Sequence, residues 1–145
     1  MSQFLVSTDI EGGSSSHIRK ILTGNDVRIA SAFLGKGVEG LVPKGARLIC
    51  DIGMGGTNPS ALKALKAKLG KNLKFLSNFH AKVYLSDQGC LVGSANLSNN
   101  GVGFLSQAKL IEAAIHVAPN ETAALAAGEW FKELWNEAQV VGKKE

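Results

Sequence analysis

Residues 79–96 read FHAKVYLSDQGCLVGSAN, two apolar runs joined by a short polar turn, SDQG. Successive side chains of a β-strand point to opposite faces, so His80 and Lys82 would share one face of the first run. By the same alternation, Ser94 and Asn96 would share a face at the end of the second run. A turn of this length and composition is typical of two strands that pair as neighbours. The stretch therefore predicts that an imidazole, an ammonium, a hydroxyl and an amide converge.

This group of four side chains suits a tetrahedral anion such as a phosphate. The Lys82 ammonium can neutralise charge, while the hydroxyl of Ser94 and the amide of Asn96 can donate hydrogen bonds to oxygen atoms. The imidazole of His80 is then close enough to attack phosphorus. The alternative is structural, because a histidine and a lysine at the rim of a strand often simply face solvent.

Neither a metal site nor a cofactor is predicted. The three histidines, at positions 17, 80 and 116, have no histidine or carboxylate partner at the spacing that metal ligands require. Cys50 and Cys90 both lie inside apolar runs, which favours ordinary buried thiols over a disulfide or a zinc site.

The rest of the chain alternates apolar runs with helical patterns, the order typical of an α/β protein. At 145 residues we expect one domain, residues 1–145, with 140–145 as a frayed tail. Helices are predicted to begin near Ser14–Ser16, which would cap the first one, at Asn58-Pro59 and at Pro119. Strands are predicted at 4–6, 27–34, 46–52, 73–76, 80–85, 90–94 and 110–117.

The net charge of +4 is unevenly distributed along the chain. Residues 1–111 carry 13 lysines and arginines against 6 acidic residues, whereas residues 112–145 carry 3 against 6. A basic body fits a polyanionic partner such as nucleic acid, although solubility alone can explain it. Five lysines, at 63, 66, 68, 71 and 74, would form either a solvated face or a contact with phosphates. No apolar run is long enough to span a membrane and no signal peptide is evident, so we expect a soluble, cytoplasmic protein.

The pattern His80-x-Lys82-x4-Asp87, followed by Gly93-Ser94-x-Asn96, resembles the HxKxxxxD…GSxN motif of the phospholipase D superfamily. The resemblance implies an α/β fold with a mixed sheet flanked by helices and one such motif per chain. It also implies that His80 is the nucleophile of a covalent phosphohistidine, that Lys82 and Asn96 hold the phosphate, and that Ser94 tunes the site. Asp87 lies in the predicted turn, and we do not expect it to be catalytic.

An acidic residue downstream of the motif often orients the histidine in this family. Glu112 is the candidate here, because it interrupts the apolar run KLIEAAIHV. The alternative is a glutamate that marks an edge strand.

Only one HxK motif occurs in this chain, whereas two-motif members carry two catalytic histidines. A single-motif chain can complete its site in a two-fold dimer, because the symmetry axis duplicates every residue. We therefore expect a metal-independent phosphodiesterase, a DNA endonuclease with its site at a homodimer interface. The competing hypotheses are a phospholipase or phosphatidyltransferase, and a nucleic-acid-binding module of a helicase or restriction assembly. The preference for DNA or RNA, and for single or double strands, stays open.

Overall fold

The computed structural model describes residues 2–9, 12–53, 57–98 and 110–142. Within these residues, eight strands form a single sheet. In chain order they are β1 (Ser2–Val6), β2 (Arg28–Ser31), β3 (Arg47–Cys50), β4 (Leu73–Phe75), β5 (Lys82–Ser86), β6 (Gly89–Gly93), β7 (Ala113–Val117) and β8 (Gln139–Val140). The helices are α1 (Ser14–Leu22), α2 (Pro59–Leu69) and α3 (Thr122–Glu137), with short 3-10 turns at Val38–Gly40 and Gly70–Asn72.

The sheet is mixed, and its spatial order is β1-β7-β6-β5-β2-β3-β4-β8. Strands β2, β3 and β4 run parallel to one another, while all the other neighbouring pairs are antiparallel. Strands β1 and β8 form the two edges. The predicted fold class, a mixed sheet flanked by helices, is confirmed.

The helices cover both faces of the sheet. Ile18 of α1 and Leu65 of α2 share one apolar core with Tyr84 of β5. Phe131 of α3 packs on the opposite face, in a second core that includes Val83. Alternation along β5 thus sends neighbouring side chains to different cores, as expected for a strand with helices on both sides.

Two of the predicted helix starts can be compared with the structure in detail. The side chain of Asn58 accepts a hydrogen bond from the Ala61 N–H (3.1 Å), and Pro59 occupies the first turn of α2, as predicted. For α1, the prediction of a serine cap was wrong, because Gly13 is the capping residue. A Cβ atom at Gly13 would lie only 2.4 Å from the carbonyl oxygen of Asp9. Because the backbone that follows β1 approaches so closely, only glycine fits at this position.

Two residues near the end of the described chain contact the sheet. Val140, expected to fray, pairs with Lys74 in the sheet. Val141 is buried, and its N–H donates to the Leu73 carbonyl (2.9 Å). These two residues thus lie at the end of the sheet, within the segment 140–145 for which a frayed tail was predicted; residues 143–145 lie outside the described part of the chain.

Cys50 and Cys90 are buried free thiols, as predicted. Burial raises the pKa of Cys50 to about 12 and that of Cys90 to about 11.

Three of the five clustered lysines donate to main-chain carbonyls, namely Lys66, Lys68 and Lys74. These contacts favour a structural role for much of the cluster. No helix in the described ranges is both long and apolar enough to cross a bilayer.

Candidate active site

The two halves of the predicted motif meet where several strands end. Strand β5 begins at Lys82, which pairs with Ser31 at the end of β2. Strand β6 ends at Gly93, and its pairing with β5 brings Gly93 alongside Lys82. His80 lies just before β5 and not within it, because the strand predicted at 80–85 begins two residues later. The imidazole therefore stands on an exposed segment at this end of the sheet.

His80 and Lys82 are in direct contact. The Lys82 Nζ atom lies 3.1 Å from Nδ1 and 3.3 Å from Nε2 of the His80 ring. The ring of Phe33 meets the same imidazole edge-on, with centroids 5.9 Å apart. Burial lowers the pKa of Lys82 from its usual value, and the nearby Glu112 carboxylate opposes part of that shift. The predicted nucleophile and the predicted phosphate-binding cation thus lie side by side.

Ser94 is held by Glu112. The Ser94 hydroxyl donates to the Glu112 carboxylate at 2.5 Å and accepts from the Ala113 N–H at 3.1 Å. Glu112 is 8% exposed, and its main-chain N–H donates to the hydroxyl of Ser7 (2.8 Å). Its main-chain carbonyl accepts from the Ser7 N–H (2.9 Å). The backbone of Glu112 is therefore anchored by Ser7, the residue that follows β1.

The sequence left two readings of Glu112, and neither describes its contacts fully. It does not mark an edge strand, because the strand that follows it, β7, lies between β1 and β6. In the described residues it also makes no hydrogen bond with His80, the contact expected from the family. In this protomer Glu112 orients Ser94 instead.

Gly93 of the motif is required by strand packing. A Cβ atom there would come within 2.6 Å of both the Ala113 carbonyl oxygen and the Ala114 Cβ. Any larger residue would push β6 away from β7, and Ser94 would lose its contacts with Glu112 and Ala113.

Asn96 is oriented by Phe33, which lies just beyond the end of β2. Its side-chain oxygen accepts from the Phe33 N–H (3.2 Å), so its NH₂ group is the part that can donate to a ligand. The Ser31 hydroxyl accepts from the Leu97 N–H (2.9 Å) and donates to the Phe33 carbonyl (2.9 Å). Tyr84 donates to the Ala95 carbonyl (2.9 Å). Hydrogen bonds on both sides thus fix the predicted phosphate-binding amide.

Asp51 is a positioning residue that the sequence reading missed. It is 1% exposed, and its carboxylate accepts from the N–H groups of Phe79 (3.2 Å) and Gly53 (2.8 Å). The first bond holds the backbone immediately before His80. A signal was present in the sequence, since a carboxylate directly follows the buried strand RLIC, but its partner 28 residues away was not visible.

Asp87 lies at the opposite end of β5 from His80. Its carboxylate accepts from the N–H (2.8 Å) and the side-chain amide (3.0 Å) of Asn25, and these bonds lower the pKa of Asp87. Asp87 therefore acts as a turn residue.

The other two histidines, His17 and His116, contact each other with ring centroids 5.1 Å apart. Among the described residues, no group of three histidine, cysteine or acidic side chains is placed to hold a metal ion.

Neither a family model nor a curated protein matches this chain. Solved structures do match. Nuc from Salmonella typhimurium, a phospholipase D family member, aligns over 99% of both chains with a TM-score of 0.72 and 18% identity. NucT from Helicobacter pylori aligns over 97% of this chain and 98% of its own, with a TM-score of 0.73 and 16% identity.

A third structure, the archaeal chromatin protein TrmBL2, described as having a novel mode of DNA binding, aligns over 96% of this chain and 54% of its own, with a TM-score of 0.58 and 16% identity. The first two alignments span both chains almost from end to end, and His80, Lys82 and Ser94 of the predicted motif lie at one end of the sheet. This chain has the fold of the phospholipase D family.

Proposed function

We propose that this protein is a metal-independent phosphodiesterase, a cytoplasmic DNA endonuclease that acts through a covalent phosphohistidine in a homodimer. The observation that carries the proposal is the contact between the His80 ring and the Lys82 ammonium; Phe33, whose ring meets His80, also anchors the amide of Asn96. A histidine nucleophile attacks phosphorus directly and needs no metal-bound hydroxide.

The chemistry begins with an exchange of hydrogen-bond partners at Lys82. The ammonium lies 3.1 Å from one ring nitrogen of His80 and 3.3 Å from the other, so it contacts both nitrogens of the resting ring. When a phosphodiester binds, its negatively charged oxygens replace the ring as acceptors for Lys82, and the Asn96 amide donates to another oxygen. The ring of His80 then no longer contacts the ammonium, and one of its nitrogens can attack phosphorus. The same cation that screens the resting nucleophile thereby stabilises the charge on phosphorus.

The covalent step forms one bond and breaks one. A ring nitrogen of His80 bonds to phosphorus while the bond from phosphorus to the leaving oxygen breaks, and that oxygen takes a proton from the His80 of a second copy of the chain. A water molecule then attacks phosphorus and gives a proton to that second histidine, and the phosphorus–nitrogen bond breaks. Both histidines return to their starting states.

The dimer has a candidate surface next to the site. Phe4, Ile115 and Val92 form a row across β1, β7 and β6, and they are 72%, 48% and 49% exposed. Val92 lies opposite Val83, which packs under α3, so the row continues the apolar face beyond the part that α3 covers. Exposed apolar side chains in such a row are typical of an interface. We propose that a second copy covers them.

The dimer surface can be tested by a charge placed in the row. Ile115→Glu should give a monomer in sedimentation and lose cleavage activity, because each site would lack its second histidine. Leu125→Glu on α3, which adds the same charge at a position 61% exposed, is the matched control and should stay dimeric and active. An active monomer would contradict the shared site.

The activity itself is tested with plasmid DNA and a fluorescent phospholipid, each in excess EDTA. We expect DNA cleavage to persist, and His80→Ala to abolish turnover while it retains DNA binding. His17→Ala, the same substitution at a histidine outside the motif, should remain active. Cleavage that stops with EDTA and returns with magnesium would refute the mechanism.

Two competing functions give different results in the same assay. A phospholipase would cleave the lipid and leave the DNA intact. A binding module, the possibility raised by the similarity to the chromatin protein, would bind DNA tightly and cleave neither substrate.

A further inference from the structure

A groove opens beside the motif and extends away from the proposed phosphate site. Its volume is about 340 Å³, and the side chains that define its chemistry are Phe33, Lys36, Asn58 and Asn96. Asn96 belongs to both the groove and the proposed phosphate site. If a phosphodiester is bound at His80, as the proposed function requires, the part of the substrate next to that phosphate enters this groove.

The groove is built on a rigid wall. The Gly35 N–H donates to the Leu97 carbonyl (3.0 Å), and Leu34 forms a parallel bridge with Leu97. The Asn58 N–H, at the start of α2, donates to the Leu34 carbonyl (2.8 Å). These bonds join the groove wall to the segment that carries Asn96. The groove is therefore already formed before a ligand binds.

The lining combines an aromatic ring with a cation. Phe33 is half-buried, and its backbone is held on both sides, by Asn96 and by Ser31. Lys36 is exposed and has no hydrogen bond or ion pair within the described part of the chain. None of the described residues that line the groove is acidic. An aromatic platform beside a free cation is the combination that binds a base and its backbone phosphate in single-stranded nucleic acid.

Stacking on Phe33 distinguishes single strands from duplexes. The face of a base is covered by its neighbours in a duplex, so a base reaches a protein ring only when it is unpaired or unstacked. We infer that this groove binds an unpaired base on Phe33 and the adjacent phosphate on Lys36, and that the substrate at the site is single-stranded nucleic acid. This inference rests on the proposed phosphodiesterase activity for its place in the reaction, but its binding test does not.

The base contact is tested by fluorescence anisotropy on full-length protein carrying His80→Ala, which keeps the oligonucleotide intact. A set of single-stranded oligonucleotides carries one abasic position each, moved along the strand. Removal of one base should weaken binding by roughly 5- to 150-fold, the range of one base–aromatic stack. In a Phe33→Leu background, which keeps an apolar side chain without the ring, removal of the same base should have little effect. That loss of coupling separates stacking from any general damage caused by the substitution.

The phosphate contact is tested with a matched pair of lysines. Lys36→Gln should weaken binding and reduce the slope of log K against log salt by about 0.7, the value for one phosphate contact on a single strand. Lys44→Gln is the control. Lys44 is exposed and lies shortly before the first residue of β3, and it does not line the groove, so the substitution removes the same charge elsewhere on the surface. The salt slope of Lys44→Gln should equal that of the protein that carries His80→Ala alone. A neutral methylphosphonate beside the stacked base should reproduce the effect of Lys36→Gln.

The result that would overturn the inference is equal affinity for a single strand and its duplex, with no abasic position whose effect depends on Phe33. An unchanged salt slope for Lys36→Gln would overturn the phosphate contact. Cleavage by the wild-type protein is measured in parallel. If DNA is cleaved but the Phe33 coupling is absent, the groove assignment fails and the proposed function stands; if the coupling is present but nothing is cleaved, the groove assignment stands and the proposed function fails.

Discussion

Replacement of Asp51 by alanine should weaken both the fold and the site, because this buried carboxylate holds the backbone just before His80. Its oxygen atoms accept from two N–H groups, those of Phe79 and Gly53. Gly53 is exposed, so its N–H can bond to water after the change. Phe79 is only 8% exposed, and its N–H would lose a charged partner without full access to solvent.

The expected loss follows from the Phe79 bond. A hydrogen bond to a charged group contributes about 1.5–3 kcal/mol, and an unsatisfied buried donor costs a similar amount. We therefore expect Asp51→Ala to lower the free energy of unfolding by about 2–3 kcal/mol. For a chain of this size, that corresponds to a fall in Tm of roughly 6–10 °C. Asp51→Asn keeps one acceptor oxygen, so its free energy of unfolding should lie between those of the wild-type protein and Asp51→Ala.

The effect on the reaction is separate from the effect on stability. A nucleophile displaced by about 1 Å can lose roughly 100-fold in rate, so folded Asp51→Ala should cleave far more slowly at saturating substrate. The assay pairs urea unfolding, followed by tryptophan fluorescence, with initial cleavage rates at a temperature where the variant is fully folded. Asp87→Ala is the control, because Asp87 also accepts from a backbone N–H, but at the exposed far end of β5. It should retain its cleavage rate. A normal urea midpoint for Asp51→Ala, or lost stability with an unchanged rate, would refute this account.

Three further predictions concern the dimer, the pH profile and the thiols. When wild-type chains are mixed with His80→Ala chains under verified subunit exchange, cleavage should follow the square of the wild-type fraction, about a quarter at equal amounts; a linear dependence would contradict the composite site. Activity that needs the Lys82 ammonium should fall as pH rises through the lowered pKa of Lys82. Glu112→Gln removes the carboxylate that raises this pKa, so the alkaline limb of the rate profile should move to lower pH, and a move to higher pH would count against the assignment. Finally, Cys50 and Cys90, whose pKa values are raised to about 12 and 11, should resist a thiol reagent at pH 8 until the protein is unfolded with urea; rapid labelling of the native protein would show that burial does not protect them.

The local features of this protein were readable from its sequence. The two-residue spacing of His80 and Lys82 predicted that they lie together, although His80 precedes the strand, and the SDQG turn predicted the pairing of β5 with β6. The Asn58-Pro59 pair predicted the start of α2. Each of these depends on residues that are close in the chain, and side-chain periodicity and capping preferences are sufficient to reveal them.

The surroundings of the motif depend on segments that are far apart in the chain. Phe33 bonds to Asn96 across 63 residues, and Ser7 bonds to Glu112 across 105. Such contacts exist because the ends of β2, β6 and β7 meet at one end of the sheet, and no local pattern encodes which strand ends meet. The α/β order therefore followed from local preferences, while the motif and the mixed sheet followed from the resemblance to the phospholipase D superfamily. The partners that orient those residues, the buried Asp51, and the groove with Phe33 and Lys36 arise from long-range packing, which sets positions that no single segment contains.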